Sequence, residues 1–312
     1  MRIFYASDIH GSDRCWKKFL NAAGFYSADA LVLGADLTGK AIVPLVEADG
    51  VVRAQFLGSE HLLRTPEEVE ALERRIADTG YYSHRAGEDE HAALRDDAQA
   101  MHELFVRKIV ERLEQWMALA DERLEVPCYV NAGNDDPSEV DAVIQGSQRV
   151  EFLEGRIVRM PNGMEMASCG YSNLTPWNCP RDVTEEELGQ RLEQIVSQVE
   201  DPEFSLFNFH CPPYDSQIDQ GPRLDENMRL RQTAGGIEMH AVGSTSCRDV
   251  IEKYQPLMGL HGHLHESRGT VKIGRTVCVN PGSEYTEGVL RGALIDVHDR
   301  KRKVKNCVLT TG

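Results

Sequence analysis

The chain has 312 residues, of which 41% are hydrophobic and 27% are charged, and this composition is typical of a globular protein with a large core. Fifty acidic residues against 34 basic ones give a formal net charge of -16. So acidic a surface repels the phosphate backbone of nucleic acids, which argues against a non-specific nucleic-acid binder. No apolar run approaches the ~20 residues that a membrane-spanning helix needs.

The cysteines and the start of the sequence indicate a cellular compartment. The eight cysteines are scattered and form no CxxC pair, as is common for reduced thiols. The first polar motif follows Met1 so closely that no room remains for a signal peptide. We therefore expect a cytoplasmic protein with neither a membrane nor a stable nucleic-acid partner. The sequence leaves the oligomeric state open, including a homo-oligomer.

The chain opens with a β-α-β pattern over residues 3–33, in which two apolar runs flank a helical stretch. Asp8 and His10 follow the first run, and Asp36 follows the second. The carboxyl ends of parallel strands meet at one edge of a sheet, and ligands bind there. The pattern therefore predicts that these three side chains share a cleft.

The next part of the chain combines a hairpin with helical patterns. An Asp-Gly pair at 49–50 between two apolar runs predicts a β-hairpin, and Pro44 predicts that the first of these strands lies at a sheet edge. Helical periodicity then dominates residues 59–125, with one long helix predicted over 89–124. We interpret this stretch as a helical insertion within one domain that spans residues 1–312.

Three later apolar runs also end in residues that bind metals, namely Asn134, His210, and the pair His263 and His265. Divalent transition metals prefer imidazole nitrogens and carboxylate oxygens as ligands. Each motif alone is more often a turn or a strand-end residue. Five of them in one chain, each at a predicted junction of strand and loop, indicate a site for two metal ions.

The order of these motifs, DxH, GD, GN, H and GHxH, resembles the calcineurin-like metallophosphoesterase superfamily. The flanking residues 170–173, 175–177 and 280–283 resemble the prokaryotic Icc-related phosphoesterases within it. The resemblance implies an α/β fold, a four-layer α-β-β-α metallophosphoesterase sandwich with the metal site at its rim. It implies two divalent ions, with Mn, Fe, Zn or Ni favoured over Mg.

The resemblance also implies a set of ligands for each ion. By position, one ion is held by Asp8, His10 and His265, the other by Asn134, His210 and His263, and Asp36 bridges the two. The implied reaction is hydrolysis of a small phosphoester, in which a hydroxide between the two ions attacks phosphorus.

Asp135 departs from the common family pattern, which has a histidine directly after the ligand asparagine. An anionic Asp135 opposes a dianionic phosphomonoester more than a monoanionic diester. If burial keeps it protonated, it is a candidate general acid. Both interpretations favour a small or cyclic phosphodiester, whereas a third gives Asp135 only the task of orienting Asn134. Asn173 is a candidate contact for the substrate, although a turn residue is an equal interpretation.

Three alternatives to a phosphodiesterase remain at this point. The first is a phosphomonoesterase. The second is a nuclease, which the net charge of -16 disfavours. The third is a non-catalytic scaffold, which is disfavoured because all seven ligand positions are filled.

Overall fold

The computed structural model describes residues 1–312 and contains seven α-helices and 22 β-strands. The helices are α1 (Asp13–Tyr26), α2 (Pro66–Asp78), α3 (Glu88–Asp96), α4 (Ala98–Arg123), α5 (Glu139–Gln145), α6 (Glu185–Val196) and α7 (Thr245–Tyr254). The strands are β1 (Arg2–Ala6), β2 (Ala30–Leu33), β3 (Ile42–Ala48), β4 (Val51–Phe56), β5 (Ser59–Leu63), β6 (Tyr82–Gly87), β7 (Cys128–Val130), β8 (Val150–Phe152), β9 (Ile157–Arg159), β10 (Glu165–Cys169), β11 (Ser172–Asn173), β12 (Asp182–Val183), β13 (Ser205–Phe209), β14 (Gln220–Pro222), β15 (Gln232–Thr233), β16 (Gly236–Ile237), β17 (Met239–Ala241), β18 (Met258–Leu260), β19 (Gly269–Ile273), β20 (Thr276–Asn280), β21 (Arg291–His298) and β22 (Lys303–Thr311).

Two six-stranded sheets form the centre of the molecule. The first has the order β22-β21-β1-β2-β7-β8, and the second has the order β19-β20-β18-β13-β10-β9. The strands β1, β2, β7 and β8 run parallel, as do β10, β13, β18 and β20. Each sheet therefore offers a row of carboxyl strand ends along one edge, and the predicted α/β class is confirmed.

Three apolar clusters show how the layers pack. One cluster joins side chains of both sheets, for example Tyr5 and Val32 of the first with Leu206 and Leu260 of the second. The other faces carry helices. Trp16, Phe19 and other apolar residues of α1, α4 and α5 pack on the first sheet, and apolar residues of α6 and α7 pack on the second. Burial of this much apolar surface is the main stabilising contribution to the fold.

A third sheet confirms one local prediction and corrects another. The hairpin at 49–50 is confirmed, because β3 and β4 are antiparallel neighbours. The edge position predicted from Pro44 is wrong, because β3 lies between β4 and β6 in the order β5-β4-β3-β6. Pro44 is tolerated there since β4 pairs with β3 only from Val46 onward, so no partner strand lies beside the proline on that side.

Residues 59–125 are less helical than predicted, because they include β5 and β6 beside α2. The single long helix predicted over 89–124 is also interrupted at Asp97, whose side chain accepts hydrogen bonds from the N–H groups of Gln99 and Ala100 and caps α4. The division into one domain with an insertion stays a prediction. None of the seven helices combines the length and apolarity that a membrane-spanning segment needs.

Candidate metal centre

The first three predicted ligands lie on two adjoining turns at the edge of the first sheet. Asp8 and His10 follow β1, and Asp36 follows β2. The N–H of Asp8 donates to the carbonyl of Ala35 at 2.9 Å, and the N–H of His10 donates to the carbonyl of Asp36 at 3.1 Å. These bonds tie the two turns together, so the three side chains are held in one place.

The second sheet brings its ligands to the same edge. His210 follows β13, and His263 and His265 follow β18. The N–H of Gly262 donates to the carbonyl of His210 at 3.0 Å, and the N–H of His263 donates to the Asp8 carboxylate at 3.0 Å. The backbone of one sheet is thus bonded directly to a ligand of the other. The structure thus brings motifs from both sheets together at one edge.

Two glycines of the motifs allow this close approach. A Cβ on Gly133 would lie 1.9 Å from Oδ1 of Asp36, and a Cβ on Gly262 would lie 2.2 Å from Oδ2 of Asp8. Both distances are far below van der Waals contact. These two positions therefore exclude any side chain, which explains the glycines of the GN and GHxH motifs.

The side chains form two neighbouring groups. In the first group, Nε2 of His10 lies 3.0 Å from Nε2 of His265, and Nε2 of His265 lies 3.5 Å from Oδ1 of Asp8. In the second group, Oδ1 of Asn134 lies 2.9 Å from Nε2 of His210 and 3.0 Å from Nδ1 of His263. The structure thus brings together the two ligand sets that the family resemblance implies.

Asp36 lies between these two groups. Its Oδ2 is 3.2 Å from Nε2 of His210 and 3.7 Å from Nε2 of His10. One carboxylate therefore faces a histidine of each set. That is the placement that a bridging ligand requires.

The chemistry of these residues fits divalent cations. Five of the seven side chains are buried, and all of their facing atoms are nitrogen or oxygen. Burial alone would lower the pKa of His210, but the carboxylates of Asp36 and Asp8 raise it to about 10. The carboxylates therefore give the site a negative electrostatic potential. Bound metal ions would neutralise it.

Asp135 lies at the mouth of the site, where its carboxylate is close enough to His10 and Asp36 to form a third group that could hold an ion. Its carboxylate forms an ion pair with Lys40 and accepts a hydrogen bond from Sγ of Cys179 at 2.8 Å. Its Oδ2 lies 3.9 Å from Nδ1 of His10. Burial lowers the pKa of Lys40, but Asp135 and Asp36 raise it above its ordinary value overall. The catalytic role of Asp135 stays a prediction.

Asn173 lies apart from both ligand groups. Its Nδ2 donates to the carbonyl of Val242 at 3.3 Å, and its side chain lines a cavity beside the site. The neighbouring Ser172 is closer to the ligands, since its Oγ lies 3.4 Å from Nε2 of His263. Contact of Asn173 with a substrate stays a prediction.

Two further carboxylates support the ligands and were not predicted to do so. Asp182 accepts a hydrogen bond from Nδ2 of Asn134 at 2.8 Å, which turns Oδ1 of that amide toward the two histidines. The buried Asp136 accepts from the N–H groups of Leu37, Thr38 and Gly133 and so joins the Asp36 turn to the Asn134 turn. Burial raises the pKa of Asp136 to about 6. In the sequence, Asp136 directly follows the motif that contains Asn134 and Asp135. Asp182 adjoins none of the predicted motifs.

Comparison with known proteins gives a family but no described activity. No model of a protein family matches the chain. An uncharacterised protein of Methanocaldococcus jannaschii, MJ1162, is 32% identical over 176 residues, which cover 56% of this chain and 71% of the archaeal protein. The chain belongs to the same family as that protein.

Two solved structures share the fold of this chain. One crystal structure superposes with a TM-score of 0.58 at 18% identity and covers 99% of this chain and 98% of its own. TT1561 of Thermus thermophilus superposes with a TM-score of 0.51 at 14% identity and covers 100% of this chain and 97% of its own. These likenesses concern the fold alone. The structure places all five motifs at one edge of two packed sheets.

Proposed function

We propose that this protein is a dinuclear metal-dependent phosphoester hydrolase that acts on a small or cyclic phosphodiester. The observation that carries the proposal is the position of Asp36, whose carboxylate faces a histidine of each ligand group. A single-ion site would need only one of these groups. The eight unpaired cysteines support a reducing compartment, the cytoplasm.

Each of the two ions would have its own set of ligands. Asp8, His10 and His265 would hold one ion, Asn134, His210 and His263 would hold the other, and Asp36 would be shared. When bound, two divalent ions polarise phosphoryl oxygens and lower the pKa of water toward neutrality. Asp182 fixes the orientation of the Asn134 amide. Lys40 offers an ammonium group at the mouth, where a phosphate oxygen can accept a hydrogen bond from it.

The charges at the mouth support a diester as the substrate. Asp135 places a carboxylate beside Lys40, so the pair has almost no net charge. A monoester dianion gains little from such a pair, because the carboxylate offsets the attraction of the ammonium group. A diester has one negative charge and meets less repulsion. Lys40 also motivates the second candidate, a phosphomonoesterase, since a substrate that displaces Asp135 from it would gain a full positive charge.

Metal analysis combined with a substrate panel tests the proposal. The protein is reconstituted separately with Mn, Fe, Zn, Ni and Mg and is assayed with bis(p-nitrophenyl) phosphate and p-nitrophenyl phosphate. We expect two ions per chain and a larger kcat/KM for the diester with at least one of the first four metals. Full metal loading without turnover of either ester would support a non-catalytic scaffold instead.

A further inference from the structure

A long groove runs from the metal centre across the surface. One cavity of about 590 Å³ lies above the ligands, and a second of about 590 Å³ lies beside it, within the usual size of small-molecule sites. The two cavities share Thr175, Trp177, Pro222, Leu224, His263 and Leu264. We call the second cavity the rim groove. It opens directly onto the ligand His263, so a molecule bound at the centre can extend into it.

Exposed apolar side chains are concentrated around the rim groove. Of the large hydrophobic residues that are exposed, Leu174 and Trp177 line the groove, and Met228 and Leu230 line the cavity above the ligands. Exposed apolar residues concentrated beside a reactive centre mark a place where a ligand covers them. The rim groove therefore offers apolar contacts to an organic group of the substrate.

Trp177 is the main element of this wall. Its side chain is 66% exposed and lines both cavities. The other two tryptophans, Trp16 and Trp116, are buried and stack on each other at 5.1 Å between ring centroids. An exposed indole at the opening of a cleft offers a flat face on which an aromatic ring can stack.

Polar groups at the far end of the rim groove complement a ring that carries heteroatoms. Arg223 and Arg231 line this end, and both guanidinium groups face Glu238, at 3.0 Å and 3.6 Å respectively. One carboxylate between two guanidinium groups leaves one net positive charge and N–H donors that an acceptor on the ring can use.

We infer that the rim groove binds the non-leaving ester group of a phosphodiester, and that this group contains a flat aromatic ring that stacks on Trp177. The inference rests on the proposed hydrolase and adds the class of substrate to it. It places selection of the substrate outside the ligand set, on residues 173–177 and 220–243.

A series of diesters with one leaving group tests the inference. Four p-nitrophenyl phosphodiesters, which differ only in a methyl, octyl, phenyl or naphthyl second ester, are compared by kcat/KM on the metal-loaded protein. We expect the naphthyl ester to exceed the methyl ester by about tenfold and to exceed the octyl ester as well. Trp177→Ala should remove most of the naphthyl-to-methyl ratio, and Trp177→Phe should retain part of it. Phe25→Ala, which removes another exposed aromatic ring, should leave the ratio unchanged.

A binding measurement separates this inference from the proposed function. Trp177 is the only exposed tryptophan, so saturable quenching of its fluorescence by naphthyl methylphosphonate reports binding at the groove, and Phe25→Ala should leave that quenching unchanged. Equal rates for all four diesters, or a preference for octyl, would overturn the inference and leave the hydrolase intact. Absence of turnover with full metal loading rejects the hydrolase, and the fluorescence titration still decides whether the groove binds aromatic groups.

Discussion

The metal centre and the rim groove lie side by side but are built in opposite ways. The centre consists mostly of buried candidate ligands on turns that bond to each other across the two large sheets. The rim groove is formed by exposed and half-buried side chains on turns and short strands, held by local bonds such as the N–H of Arg223 to the carbonyl of Glu238 at 2.7 Å. The difference suggests that the reaction is fixed by the core of the fold and the choice of substrate by its surface. Substitutions in the two regions should therefore change different parameters.

The largest effect is expected for Asp36→Asn. An amide replaces the carboxylate that faces both ligand groups, so both ions should bind more weakly, and kcat/KM should fall at least about a thousandfold. Metal content measured by mass spectrometry should drop from two ions per chain to below one. Asp49→Asn is the matched control, because Asp49 has the same backbone φ of 52° but lies in an exposed hairpin turn. Two retained ions and normal turnover in Asp36→Asn would reject the shared-ligand assignment.

A smaller loss is expected for Asp182→Ala. The Asn134 amide loses the acceptor that turns its oxygen toward His210 and His263, and loss of such a supporting carboxylate weakens metal binding by about 10- to 100-fold. Metal titration should show one ion weakened and the other nearly unchanged. If Asp182 acts through Asn134, the double variant Asn134→Ala/Asp182→Ala should bind no worse than Asn134→Ala. Strictly additive losses in the double variant would show that Asp182 acts elsewhere.

A change of preference is expected for Asp135→His, with the reaction itself retained. An imidazolium in place of a carboxylate attracts a dianion and can protonate a leaving oxygen, so the monoester-to-diester ratio of kcat/KM should rise by about tenfold. Asp135→Asn should keep both ions, because the carboxylate of Asp135 lies outside the two ligand sets. An unchanged ratio in Asp135→His would remove Asp135 from the description of the substrate and leave the metal centre as it is.

The smallest effect is expected for Glu154→Gln, which probes the buried region behind the centre. Burial raises the pKa of Glu154 from 4.5 to about 7, although the N–H of Gly170 donates to its carboxylate. Because the folded-state pKa is raised, its contribution to stability is complete below pH 4.5 and is lost as the pH rises through 7. The variant should therefore match the wild type near pH 4.5 and exceed it at about pH 8 by up to about 3 kcal/mol. Chemical denaturation at both pH values measures this difference, and an equal difference at both would contradict it.

The sequence indicated which candidate ligands lie together because each motif follows a strand within a few residues. A local pattern is enough when parallel strands bring their carboxyl ends to one edge. The support from Asp182 escaped prediction, since it acts on Asn134 from 48 residues away in sequence. Strands β5 and β6 were not predicted either. They are short, they lie beside segments with helical periodicity, and they are stabilised by pairing with β4 and β3.

Four of the candidate ligands have left-handed backbone: Asp8, His10, Asp36 and His263 have φ values of 57°, 37°, 52° and 66°. Among residues with a side chain, Asp, Asn and His adopt this conformation most readily. Each position is thus constrained twice, once by coordination and once by the main chain. A substitution such as Asp to Glu keeps the donor atoms that coordination needs. Its larger side chain is still disfavoured by the left-handed backbone. About three amino acids should therefore be tolerated at each of these four positions. In a saturation mutagenesis library, these positions should tolerate the fewest substitutions of the whole chain.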